Sequence, residues 1–384
     1  MASNFKRVKS RVLGYLGDLR IDDFHFAFTN KGEQNIYSSI IGLFILDLFD
    51  SVEVSLNPNQ RTSLAEYIQN HQNQETGIFE PTGRSNLNRP LRNQLQLTTF
   101  AISALEILNT KPLYGLPYEI ELEKPHFIDE YFELHGVLDG ARGSGNMAMF
   151  IGIFLCVLSK ENKIYSESID RWFFLLEQSS NNHGFWGSGI EKLYYNGVQN
   201  GFHQYVVYNY LGREIPKAVK MIGALEYCDD GFGHFAPFPG GAACEDYDAL
   251  FLYFMLMKQL DQDSASTSIN LNRIERAIIQ SQNEDGGFCQ SNRTKTKLIY
   301  MFLKSLTHKE PLKLKLLKTR KGLGYLKRCN NGIRVDWFNS SRKVNESNLW
   351  DTWFKCLMLA EIDRSRGSLE FKFQSAVGLG NAVR

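Results

Sequence analysis

A glycine followed within two residues by a bulky apolar side chain recurs along the whole chain, at an interval too long for one helix and too short for a domain. It appears in QETGIF (Gly77), ELHGVL (Gly136), QSSNNHGFW (Gly184), CDDGFGHF (Gly231), QNEDGGF (Gly286) and CNNGIRVDWF (Gly332). The steps between these glycines are 59, 48, 47, 55 and 46 residues. A repeat of about fifty residues fits two helices and two connections, since a helix averages roughly 11–12 residues.

The residues between the glycines support two helices per unit. Ahead of a glycine lies an amphipathic segment, such as SESIDRWFFLLEQS (166–179) or NLNRIERAIIQSQ (270–282), with apolar residues at three- and four-residue steps. After the glycine comes a nearly apolar one: 97–108, 146–158, 203–211, 248–257, 296–306 and 349–360, with 35–49 preceding the first loop. A helix apolar on all sides must be buried on all sides. The expected fold is therefore all-α: an α/α toroid, a double ring of about six helical hairpins with the apolar helices inside. Residues 1–384 read as a single domain with a core at about 35–360. An open solenoid is the competing architecture. Closure predicts that the inner helices all begin at one end of a shared hollow.

Composition removes several classes. Forty-three basic residues against 42 acidic ones leave no nucleic-acid footprint. No run reaches the roughly 20 apolar residues of a transmembrane segment, so membrane contact is expected to be at most peripheral. The basic N-terminal FKRVKSRVLGYLGDLR lacks the apolar stretch of a signal peptide. The six cysteines (156, 228, 244, 289, 329, 356) are scattered without a CxxC pair. They point to a cytoplasmic protein with reduced thiols and no structural zinc.

QSSNNHGFW matches the Gln-x(2–5)-Gly-x-Trp core of the QW repeat of squalene–hopene cyclases; QETGIF and QNEDGGF match it with Phe for Trp. Over residues 35–360 the chain resembles the terpenoid cyclase and protein prenyltransferase superfamily of α/α toroids. In class II cyclases an Asp-x-Asp-Asp motif opens an inner helix and protonates an alkene. The stretch PGGAACEDYD (239–248) holds the comparable place, with Glu245, Asp246 and Asp248 ahead of the apolar ALFLYFML. It departs from the family pattern because the acidic doublet is displaced toward the N-terminus. The zinc-binding Asp-x-Cys and His of the prenyltransferases are not matched: Asp246-x-Asp248 stands for the first, and Asp351 for the second.

Carboxyls packed together against apolar walls hold a proton at neutral pH, the requirement for a general acid. The cation so formed needs aromatic faces, which Tyr205, Tyr208, Tyr247, Phe251, Trp350 and Trp353 would supply from inner segments. Acids in a first helical turn also serve as simple caps. His203 and Gln204 open one inner helix, and Arg142 in GARGSGN precedes another. Arg89, Arg92, Arg293, Lys295 and Lys297 stand at further loop–helix junctions, as a diphosphate clamp or a solvated rim. Asp351, between Trp350 and Trp353, has to be paired or used, because a bare buried charge is costly. His234 reads as loop structure.

The expected activity is acid-initiated cyclisation of an isoprenoid, with Glu245, Asp246 and Asp248 catalytic. His203, Tyr205, Tyr247, Arg142, Trp350, Asp351 and Trp353 are expected to touch the substrate. No metal or cofactor is required, beyond Mg2+ accompanying a diphosphate substrate. The alternatives are a carbohydrate-active enzyme or lyase on the same toroid, with Asp351 opposing the acidic cluster, and a non-catalytic toroid scaffold.

Overall fold

A computed structural model describes residues 2–32, 34–81, 90–261, 267–290, 295–307, 311–328, 333–334, 341–342, 345–367 and 371–372. In chain order the helices are α1 (Ala2–Asp18), α2 (Ile36–Leu48), α3 (Val52–Ser55), α4 (Pro58–Gln69), α5 (Pro90–Ile107), α6 (His126–Leu134), α7 (Ser144–Glu161) and α8 (Ser166–Ser179). They continue with α9 (Ile190–Leu193), α10 (Tyr195–Leu211), α11 (Ala218–Cys228), α12 (Ala243–Gln259), α13 (Leu271–Gln280), α14 (Lys295–Ser305), α15 (Leu312–Arg328) and α16 (Leu349–Ser365). Among the described residues the protein is all-α apart from isolated bridges and one two-residue strand pair at 333–334 and 341–342. No helix of the described residues is long and apolar enough to cross a membrane.

Six apolar helices pack in a cyclic order: α2 on α5, α5 on α7, α7 on α10, α10 on α12, α12 on α16, and α16 back on α2. Neighbours meet at like heights. Tyr37 near the start of α2 donates to the Asn93 carbonyl near the start of α5, at 2.7 Å. The Gly145 amide of α7 donates to Asn200 Oδ1 of α10, at 3.1 Å. The Tyr247 ring of α12 lies 5.5 Å from Phe354 of α16. In each of these three pairs the contact joins the N-terminal halves of both helices. Amphipathic α4, α8, α11 and α13 pack on α5, α7, α12 and α16 respectively.

The repeat is visible atom by atom in the loops. Gln72 bridges to Phe79, Ser180 to Trp186 and Gln282 to Phe288. An asparagine follows the first bridging residue each time, and its amide donates across the turn: Asn73 to the Ile78 carbonyl, Asn181 to Phe185, Asn283 to Gly287. Gly77, Gly184 and Gly286 all adopt positive φ, which explains their recurrence. The loop aromatic is then tied to the next apolar helix. The Phe79 amide donates to Thr98 Oγ1 of α5 at 3.0 Å, and the Phe288 amide to Thr352 Oγ1 of α16 at 2.9 Å.

Two expectations need correction. Segment 296–306 does not join the cyclic set: in α14, Ile299, Tyr300 and Leu303 are exposed, and the helix packs on α15. Residues 289–347 instead leave the repeat and return to it, because the Asn348 amide donates to the Phe288 carbonyl at 3.1 Å. The helix completing the Gly286 unit is therefore α16. The presumed Gly332 motif, with Cys329, Arg89 and Arg293, lies outside the described residues. A further unit stands at the N-terminus, where Arg20 bridges to Phe26 and the Phe26 amide faces Ser39 Oγ of α2 at 3.5 Å. Its loop, IDDFH, has no glycine, so glycine spacing could not reveal it.

If the tethers set the register, Thr98→Val and Thr352→Val will each destabilise the fold by about 1–3 kcal/mol, the cost of an orphaned buried amide. Urea denaturation checks this against the exposed Thr62→Val, for which no such loss is expected.

Candidate functional site

The fourth of these loops enters α12 with different chemistry. Asp230 replaces the asparagine, its Oδ1 accepting from the amides of Phe232 at 2.7 Å and His234 at 3.1 Å. The tether is a carboxylate: Asp246 Oδ1 accepts from the amides of Phe235 and Ala236 at 2.7 and 2.9 Å, and Oδ2 from Ala242 at 3.1 Å. His234 Nδ1 and Lys355 Nζ stand 3.5 and 3.6 Å from Oδ2. Gly241, at φ +78, is needed here, since a Cβ would fall 2.2 Å from that oxygen. Asp246 is fully buried. Burial alone would raise its pKa, but His234, Lys355 and the amides more than offset this and hold the carboxyl below its ordinary range. Asp246 thus anchors the loop, and its lowered pKa favours the ionised form.

Register then locates Asp248. Two residues beyond the tethers Thr98 and Thr352 stand Phe100 and Phe354. Both face the interior of the cyclic set: Phe100 lies 5.7 Å from the rings of Phe44 and Trp353, and Phe354 lies 4.6 Å from Trp350. Two residues advance a helix by about 200°, so the side opposite the tether points inward. Asp248 is two residues beyond Asp246, in the place that the units of Thr98 and Thr352 give to phenylalanine and that of Ser39 gives to Ile41. It is 2% exposed. Among the described residues its carboxyl has no hydrogen-bond partner. Burial first, then the charges of Glu245 and Asp246, push its pKa well above the ordinary carboxyl value, which favours its protonated form.

Glu245, half-buried one turn earlier, is pushed up to about 7 by burial and by Asp246, against the opposing pull of Lys321 and Arg142. With Arg142, Glu191, Gln199, Phe238 and Lys321 it lines a cavity of about 30 Å³, roughly the room of one water. Arg142 is thus placed beside Glu245. A second and larger cavity, about 630 Å³, opens where α7, α10 and α12 end, among Lys160, Tyr210, Arg213, Phe254 and Lys258. Nothing in the sequence reading pointed to that end.

The other expected residues divide. Tyr247, Trp350 and Trp353 do face the interior: Tyr247 contacts Phe202 and Phe251, and Trp353 contacts Phe44. Tyr205 does not. Its hydroxyl donates to the Gly184 carbonyl and its ring packs 5.5 Å from Trp186, so it fastens the QW loop from outside the interior. Tyr208 likewise packs on Phe173 of α8. Asp351 closes a reciprocal cap: its amide donates to Asn348 Oδ1 at 2.9 Å, and Asn348 Nδ2 donates to its carboxylate at 2.7 Å. Its place amid apolar residues is explained by that cap. His203 Nδ1 lies 2.6 Å from the Gln199 carbonyl, and burial lowers its pKa to about 4, leaving a neutral imidazole. Lys297 is exposed on α14. Lys355 was not foreseen; it is 1% exposed in mid-helix and is Asp246's counter-ion. A lone lysine within LWDTWFKCLMLA was its signal.

No family model matches this chain, and no curated protein matches it.

The two aspartates should act on stability with opposite sign. The depressed pKa of Asp246 gives stability that is present above the ordinary carboxyl pKa and lost as pH falls through the folded value. The raised pKa values of Asp248 and Glu245 remove stability as pH rises from the ordinary carboxyl range, Glu245's share being complete above about 7. Urea denaturation at pH 8 should show Asp246→Asn weaker than the parent by about 3–5 kcal/mol. Asp248→Asn should be more stable than the parent at pH 8, the difference vanishing near pH 4 (about the ordinary carboxyl pKa). Effects of the same sign at pH 8 would refute the assignment.

Proposed function

We propose that the six apolar helices are the inner ring of an α/α toroid, and that the protein is a class II terpenoid cyclase-like enzyme whose general acid is Asp248. The observation that supports this reading is a buried carboxyl without a hydrogen-bond partner among the described residues, its pKa raised by burial, at the helix register that Phe100 and Phe354 hold in their own units. In the reaction, the Asp248 O–H bond breaks as its proton forms a C–H bond at one alkene carbon of an isoprenoid. The other alkene carbon becomes cationic and is held over aromatic faces. Ring closure moves the cation along the chain, and loss of a proton regenerates a neutral product. Burial, with the charges of Glu245 and Asp246, favours a protonated Asp248 before the transfer, and the charge of ionised Asp246 favours the cation afterwards. Should the substrate be a diphosphate, Mg2+ would arrive with it; among the described residues no three His, Cys, Asp or Glu side chains gather into a metal site.

The glycosidase alternative loses its second carboxyl, because Asp351 is engaged in a helix cap. A scaffold reading is favoured by one observation: Trp350, Trp353, Phe354, Phe44 and Phe100 pack on one another with centroids 4.6–6.2 Å apart, as a core does. Incubation with farnesyl diphosphate, geranylgeranyl diphosphate and squalene separates the two. A cyclase yields cyclic products, loses about 10²–10⁴-fold in rate on Asp248→Asn, and slows as pH rises and Asp248 gives up its proton. Absence of product and of thermal stabilisation with every substrate would favour the scaffold.

A further inference from the structure

The excursion between Phe288 and Asn348 carries a charge unlike the rest of the molecule. Residues 295–328 hold eleven Lys and Arg against the single acid Glu310, leaving 32 basic against 41 acidic residues elsewhere. The near-neutral total conceals this division. The hairpin α14–α15 has its own small apolar cluster, Leu298 and Tyr325 with Phe238 and Leu326, separate from the main core. It is fixed to the body by stacking of Tyr325 on Phe238 and by Lys321 on Glu191 at 2.6 Å.

The outward sides of both helices are greasy as well as basic. On α15, Leu312 (73% exposed), Leu316 (61%) and Leu323 recur at steps of four and seven, so they form one stripe. On α14, Ile299, Tyr300 and Leu303 (59%) share a face. Exposed Lys297, Lys304, Lys313 and Arg320 stand about a quarter-turn to the side of these stripes. The opposite sides are occupied: Leu314, Leu317 and Tyr325 of α15 are buried against the protein. Only one side of each helix is available, so the occupant must be met as a surface and not as a groove that wraps a helix.

We infer that α14–α15 docks on an anionic lipid bilayer. Leucines on the outward stripe enter the headgroup–acyl boundary while the flanking lysines meet acidic headgroups. A nucleic-acid duplex would satisfy the charge but leave the leucines without a partner. A second copy would bring one strongly basic face against another. The inference is independent of the chemistry at Asp248, though Lys321 ties the hairpin to the end of the molecule where Glu245 lies.

Co-sedimentation of the full chain with vesicles tests it. The protein should pellet with phosphatidylcholine–phosphatidylserine vesicles, less so as salt rises, and not with phosphatidylcholine alone. Lys297→Glu with Lys304→Glu and Lys313→Glu should weaken partitioning by about tenfold or more. Leu303→Ser with Leu312→Ser and Leu316→Ser should weaken it comparably. All six side chains are exposed, so far-UV circular dichroism should be unchanged. Full binding by the leucine variant, or binding of duplex DNA or RNA in preference to acidic vesicles, would overturn the proposal.

Discussion

A hydrogen bond that recurs at α2, α5, α12 and α16 ties a loop to the apolar helix that follows it. The amide of a loop aromatic residue donates to a side-chain oxygen of that helix, as Phe79 does to Thr98 and Phe288 to Thr352. An apolar helix has little in its own surface to define its axial position, because every turn is equally content in a hydrophobic core. The tether removes that freedom, since an unpaired buried amide is costly. The apolar helices so tied contact one another in a cyclic order.

At α12 the same bond is made by a carboxylate, and the consequences spread outward from its charge. A fully buried ion needs compensation, which accounts for three amides, His234 and the otherwise unexpected Lys355 converging on Asp246. Burial of Asp248, with the neighbouring charges of Glu245 and Asp246, raises its pKa and favours the protonated form. Two aspartates that look equivalent in the sequence thus differ in the structure. Asp246 holds the loop, and Asp248 is the group the proposed chemistry would use.

Much of this architecture is legible in the chain. The approximately fifty-residue interval, the apolar helices and the acidic entry to α12 all follow from glycine placement and hydrophobic patterning. Failures have identifiable causes. Segment 296–306 has the apolar content of an inner helix, but Lys297 and Lys304 beside its apolar face mark it as one-sided. Residues 289–347 interrupt a unit whose ends are joined only through space, by Phe288 and Asn348. Tyr205 sits on an apolar helix, and no sequence pattern says which side of such a helix looks inward; its bond to Gly184 decides that. Asp246 and Asp248 could be told apart only through the register shared with Thr98 and Thr352. Balanced total charge likewise concealed the basic hairpin.

Infrared spectroscopy of the protein in D2O at neutral pH tests the division of roles most directly. A protonated carboxyl has a C=O stretch separate from the bands of ionised carboxylates. The account predicts such a band at pH values where ordinary aspartates are ionised, retained in the conservative variant Lys355→Arg and diminished in Asp248→Asn, the remainder belonging to Glu245, Asp47 and Glu361, each pushed up to about 7 by burial. Its absence from the parent protein, or an undiminished band in Asp248→Asn, would contradict the assignment of Asp248 as the buried acid.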